Sequence, residues 1–240
     1  MKYKFIYLVI AIFFSFLIIG IKMPEITCSK NFTELRKFSG KPFMQWFRST
    51  EIYKWYAMRK WNSKNDINYT NHFIKQYIVK KYQGKYNVNV LVETGTYLGD
   101  MVYAQKDAFK KIISIELGES LANFCKRRFK KYNHIEILQG DSAKVIKEVV
   151  PKLTEKTLFW LDSHYFGGIS AKGDLVCPIY DELEAVFSND LNHIILIDDA
   201  GCFKNDSDYP SLDEVERFIK SKNSNYKIEV KHNMIIATID

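Results

Sequence analysis

The feature that most constrains the fold of this chain is a regular alternation, from residue 87 onward, of short β-branched runs with helical stretches. The runs are VNVLVE at 88–93, KIISIE at 111–116, HIEIL at 134–138, TLFWLD at 157–162 and HIILID at 193–198. Helical stretches near 100–109, 119–131, 142–150 and 178–188 separate them, and another follows at 211–220. Strands this apolar, joined by helices, call for a parallel sheet covered on both faces. At the end of the chain, YKIEVKHNMIIATI reads as two strands turning at His232 and Asn233, hence an antiparallel hairpin. The expected fold class is α/β, a doubly wound, mostly parallel sheet closed by that hairpin.

In such sheets ligands sit beyond the carboxyl ends of the strands, where the strand order reverses. The residues at those ends are Glu93, Glu116, Asp162, Asp198 and the following Asp199. Carboxylates gathered in this way repel one another unless cations or hydrogen-bond donors meet them. The strand ends are therefore where function is expected.

Upstream of the sheet the pattern changes twice. Residues 1–22 hold an uncharged apolar run at 5–21, flanked by lysines at Lys2, Lys4 and Lys22. Its length is near the lower limit for a spanning helix, and no small-x-small cleavage site follows it. The expectation is an uncleaved transmembrane anchor, with a removed signal peptide and a buried core helix as the alternatives. Lysines and arginines on both flanks, more numerous after the run, place the remainder of a single-pass membrane protein on the cytoplasmic side. Residues 23–86 form an aromatic and basic segment. Within it Phe73, Tyr77, Ile78 and Tyr82 recur at near-helical spacing, which predicts a helix packed on the edge of the domain at 87–240. The stretch around Trp46 and Trp55 suits either a membrane interface or helices capping a cleft.

The strand-end motifs resemble those of the class I S-adenosylmethionine-dependent methyltransferases, over about residues 87–240. The first motif is ETGTYLGD at 93–100, between the first strand and the first helix. The resemblance implies a Rossmann-like domain in which Gly95 and Gly99 let the backbone approach the cofactor, with Glu93 near the charged end of its amino-acid part. The family's commonest form has glycine where this chain has Tyr97, a departure shared with macrocin-type sugar O-methyltransferases. The second motif is Glu116 in SIELGES, a carboxylate able to accept both ribose hydroxyls, though equally suited to NAD. An NAD protein would show G-x-G-x-x-G at the first turn, which is not found here. The third is QGDSAKVI, placing Asp141 and Ser142 where the family contacts adenine; a plain helix cap is the other reading of Asp141.

WLDSHYFGG and LIDDAGCF carry the remaining carboxylates. By resemblance to metal-dependent O-methyltransferases, Asp162, Asp198 and Asp199 would hold a divalent cation such as Mg2+, with Asp162 or His164 as general base. The alternatives are a strand-end turn capped by Asp199, and a His164 with no role in chemistry. Gly167, Gly168 and the residues after them suggest a loop over the site. The implied activity is O-methylation of a hydroxylated small molecule or glycan.

Composition narrows the alternatives. Lys and Arg number 35 against 28 acidic residues, a net charge of +7 that favours anionic neighbours. An RNA methyltransferase is favoured by that charge and disfavoured by the lack of an Asn-Pro-Pro-Tyr type motif, so nucleic acid is not the expected partner. A catalytically inactive Rossmann-like binding protein is disfavoured because every strand-end carboxylate is kept. Cys28, Cys125, Cys177 and Cys202 are too far apart in sequence for a zinc or redox motif and are expected as free thiols, with a Cys177–Cys202 bridge as the alternative.

Overall fold

The computed structural model describes residues 71–163, 177–206 and 208–239. All of them belong to the compact unit Ser49–Asp240. In chain order the elements are α1 (His72–Tyr86), β1 (Val90–Thr94), α2 (Asp100–Gln105), β2 (Lys111–Glu116), α3 (Glu119–Phe129) and β3 (Ile135–Gln139). They continue with α4 (Ser142–Val149), β4 (Thr157–Leu161), α5 (Ile179–Val186) and β5 (Ile194–Ile197). The last are β6 (Lys204–Asp206), β7 (Tyr209–Ser211), α6 (Leu212–Lys222), β8 (Lys227–Lys231) and β9 (Met234–Thr238).

Seven strands form one sheet in the order β3-β2-β1-β4-β5-β9-β8. The first five are mutually parallel, and β9 runs antiparallel to both β5 and β8. Strand order reverses between β1 and β4, which locates the ligand crevice of this architecture at their carboxyl ends. The β8–β9 turn falls where the sequence places it: His232 and Asn233 both have positive φ, 58° and 56°, as a two-residue hairpin turn of the primed type requires. The small β6–β7 hairpin was not legible, because strands of three residues carry no periodicity.

Alternate residues of the sheet feed two cores. Val92, Phe159, Leu161 and Ile197 point toward Ile146 of α4, Leu183 of α5 and Ile219 of α6. Leu91, Ile112, Trp160 and Leu196 point to the other face, against Ile78 of α1, Val102 of α2 and Phe129 of α3. Helix α1 therefore covers a face of the sheet instead of resting on its edge. Its buried stripe is Ile74, Ile78 and Val79, whereas Tyr77 is 51% exposed. Burial of each aliphatic side chain contributes roughly 1.5–3 kcal/mol. Gln105 donates to the carbonyl of Gln76 at 2.8 Å and Tyr82 to Glu229 at 2.8 Å, tying α1 to α2 and β8.

The expected membrane localisation needs correction. No helix among the described residues is long and apolar enough to cross a membrane. The longest, α1, has 15 residues, and at about 1.5 Å per residue it falls short of a hydrocarbon layer about 30 Å thick. The apolar run at 5–21 lies outside the described residues, as does most of the aromatic and basic segment.

Candidate active site

Two groups of side chains meet at the carboxyl ends of the strands. The first surrounds the β1–α2 turn. Gly95 has φ +84°, and a Cβ placed there would lie 2.1 Å from the carbonyl oxygen of Asp162. Gly99 has φ +76°, and its Cβ would meet the Phe129 ring at 2.6 Å and Cys125 Sγ at 3.2 Å. Both glycines are thus demanded by packing within the chain, which brings the turn down onto the end of β4 and onto α3. Tyr97, in the position the family usually gives to glycine, also adopts a left-handed conformation, with φ 49°. Arg128 of α3 donates to the carbonyl of Leu98 and, at 2.9 Å, to Asp100, clamping the turn onto α3.

Glu116 ends β2 beneath this turn. One carboxylate oxygen accepts the backbone N–H of Gly118 at 2.9 Å and the other that of Tyr97 at 2.7 Å. Burial raises the pKa of Glu116, opposed by those same two N–H groups. A carboxylate has about four acceptor positions. Two are used, one on each oxygen, which leaves one acceptor position per oxygen for a pair of vicinal hydroxyls.

Glu93 occupies a different environment. It lies within β1, 2% exposed, and accepts a hydrogen bond from Ser114 at 2.5 Å; Ser114 in turn shares one with Thr96 at 2.6 Å. Burial pushes its carboxyl up to about 8, partly offset by the Ser114 bond and reinforced by the charges of Glu116 and Asp100. Asp141 is the N-cap of α4, accepting from Ala143 N–H at 3.0 Å, and Ser142 is buried behind it. The capping reading of Asp141 therefore holds.

The second group lies at the ends of β4 and β5. Asp162 follows β4, with its carboxyl close enough to that of Asp198 to be perturbed by it. Asp198 is buried at 1% exposure, and the backbone N–H of Asp199 donates to it at 2.7 Å. Lys75 of α1 donates to Asp198 at 2.5 Å and to Asp199 at 3.1 Å. Asn233 of the β8–β9 turn donates to the same Asp199 oxygen at 3.0 Å. Burial and the negative charges of Asp198 and Asp199 raise Asp162 well above the usual carboxylate range, with Lys75 pulling it back. Burial works against the charge on Lys75, yet Asp198, Asp162 and Asp199 outweigh it and hold the ammonium protonated above the ordinary lysine range. Ser163 donates to the buried Glu182 of α5 at 2.6 Å. His164, Gly167 and Gly168, and with them the loop expected over the site, lie outside the described residues.

The three aspartates named from the sequence lie together at the ends of β4 and β5, and the cation that meets them there is Lys75, which the sequence analysis does not name. Lys75 carried a signal: it precedes Ile78 and Val79 by three and four residues and so shares their buried face. A lysine on a buried stripe requires an acidic partner. The expected Mg2+ does not fit this donor set, because the point that Asp198 and Asp199 both face is filled by Lys75 Nζ. Among the described residues no cluster of His, Cys, Asp or Glu could hold a metal ion. Cys125, Cys177 and Cys202 are free thiols.

No protein-family model matches the chain, and no curated protein matches it. Solved structures do. The O-methyltransferase TomG from Streptomyces achromogenes, solved with S-adenosylmethionine, aligns at TM-score 0.53 and 14% identity, over 81% of this chain and 94% of its own. An O-methyltransferase from Bacillus cereus, solved with S-adenosylhomocysteine, aligns at TM-score 0.52 and 11% identity, over 86% of this chain and 97% of its own. The chain has the fold of the class I S-adenosylmethionine-dependent methyltransferases.

Proposed function

We propose that this protein is an S-adenosylmethionine-dependent methyltransferase that O-methylates a hydroxylated small molecule or glycan. The observation that carries the reading is Glu116. Its carboxylate is held by two backbone N–H groups and keeps one acceptor position on each oxygen, at the carboxyl end of β2 and under the β1–α2 turn. That arrangement suits a ribose cis-diol. The structural neighbours solved with S-adenosylmethionine and S-adenosylhomocysteine agree with it.

Bound S-adenosylmethionine would supply a methyl group on a positively charged sulfur, already a good leaving group. What remains for the chain is to orient an acceptor hydroxyl and take its proton. Asp162 stands at the carboxyl end of β4, and its carboxyl, raised well above the usual carboxylate range by burial and by Asp198, suits the exchange of a proton. His164, two residues further on, is the other candidate base. Glu93, Gly95, Gly99, Asp141 and Ser142 shape the cofactor side through packing and capping, with Glu116 in direct contact.

The test is calorimetric titration of the full chain with S-adenosylmethionine. The wild type should bind saturably, and Glu116→Ala should weaken binding by more than about a hundredfold, because two hydrogen bonds to a charged acceptor are lost at about 1.5–3 kcal/mol each. Unchanged binding in Glu116→Ala would remove the basis of the proposal.

A further inference from the structure

We propose that the Lys75 ammonium is the resident cation of the strand-end site, standing in place of a divalent metal among Asp162, Asp198 and Asp199. The inference rests on the methyl-transfer reading only for its consequence, not for the site itself. A magnesium ion requires ligand oxygens at about 2.0–2.1 Å in near-octahedral array. Here Nζ lies 2.5 Å from Asp198 Oδ2 and 3.1 Å from Asp199 Oδ1, so it fills the space between the two carboxylates. The same Asp199 oxygen is further committed to Asn233.

Lys75 cannot withdraw cheaply. Its backbone is fixed by the buried stripe Ile74, Ile78 and Val79, and its side chain is only 13% exposed. Moving the ammonium aside would leave Asp198, at 1% exposure, without its counter-charge. An uncompensated buried charge is among the costliest defects a fold can carry.

The consequence for chemistry is that the fixed positive charge of the site comes from α1, the helix preceding the sheet. Among the described residues two carboxylates accept from the ammonium. An ammonium has three N–H groups. Besides these two acceptors, the negative charge of Asp162 also acts on the ammonium, so that all three aspartates share this one cation.

The experiment titrates the full chain with Mn2+ and Mg2+ by calorimetry, as wild type, Lys75→Met and Lys75→Met/Asp198→Asn. The wild type is expected to show no saturable binding. Lys75→Met should bind Mn2+ at least about tenfold more tightly than the wild type, since Asp198 and Asp199 lose the ammonium that both accept from. The added Asp198→Asn should remove that gain. Should Lys75→Met be unfolded alone, recovery of its folded circular dichroism spectrum on addition of Mn2+ reads the same gain. Saturable binding by the wild type that Asp198→Asn abolishes would overturn the proposal. So would a Lys75→Met variant that neither binds nor refolds with Mn2+. Titration of the same wild-type sample with S-adenosylmethionine separates the two ideas: loss of that binding alone would sink the methyl-transfer reading and leave the internal cation standing.

Discussion

Glycine-to-alanine substitutions at Gly95 and Gly99, with Gly84→Ala in α1 for comparison, test how closely the β1–α2 turn packs on its surroundings. At Gly95 the added Cβ would lie 2.1 Å from the carbonyl oxygen of Asp162 and 3.2 Å from Ser163 Cα, both backbone atoms. The strands cannot slide to make room. Gly95 N–H is bonded to Ile115 at 2.9 Å and Asp162 N–H to Thr94 at 3.1 Å, which locks β1 between β2 and β4. Left-handed backbone in alanine costs about 1–2 kcal/mol. Overpacking adds about 1–3 kcal/mol. Gly95→Ala should therefore destabilise the fold by about 2–5 kcal/mol, a large share of the roughly 5–15 kcal/mol typical of a domain. At Gly99 the clash is with the Phe129 ring, which can shift, so the loss should be smaller, about 1–3 kcal/mol. Gly84 lies within α1 with nothing inside 4 Å, and alanine there should stabilise by about 0.5–1 kcal/mol. Urea unfolding followed by circular dichroism reads all three, with slopes unchanged and midpoints in the order Gly84→Ala, wild type, Gly99→Ala, Gly95→Ala. A Gly95→Ala protein within about 1 kcal/mol of wild type would refute the close approach of β1 to the end of β4.

Two further outcomes follow from other buried groups. His193 accepts the Thr157 N–H at 3.1 Å through Nδ1, and burial, with a smaller push from Lys156, lowers its pKa from 6.5 to about 4. The folded state thus favours neutral imidazole; its contribution is complete above about pH 6.5 and is lost as pH falls toward 4, to a limit of about 3 kcal/mol. The difference between the stability–pH profiles of wild type and His193→Gln should show that one-proton loss, and parallel profiles would contradict it. Glu116→Gln should turn an amide NH2 toward one of two backbone N–H donors, costing about 1–3 kcal/mol in urea unfolding and about tenfold or more in S-adenosylmethionine affinity; a variant equal to wild type in both measurements would contradict the Glu116 geometry.

Much of the fold was legible because its signals are local. The five parallel strands announce themselves as β-branched runs, and His232–Asn233 is turn chemistry that any sheet context would respect. The strand-end carboxylates were legible for a topological reason, since parallel strands deliver their last residues to one edge. What escaped depends on tertiary placement. Of the α1 residues whose spacing predicts the helix, Ile78 is buried and Tyr82 packs against the core, whereas Tyr77 is exposed, and Ile74 and Val79 complete the buried stripe. Lys75 is placed against Asp198 and Asp199 only by the packing of α1 on the sheet, which no local pattern announces. Gly95 and Gly99 are accounted for by packing against Asp162 and Phe129, which is a tertiary reason the sequence does not display. Asp141 shows the converse, a strand-end carboxylate whose helix-capping bond accounts for its position.

The central claim is that the Glu116 crevice was shaped for S-adenosylmethionine, and the most direct measurement compares that ligand with NAD by calorimetry on the full-length wild-type chain. A ribose-binding carboxylate alone serves either cofactor, so the β1–α2 turn, with Tyr97 and Gly99 fixed as described, has to make the distinction. The chain should bind one S-adenosylmethionine saturably and show no measurable binding of NAD. Binding of NAD with equal or greater affinity, or no binding of S-adenosylmethionine at all, would contradict it.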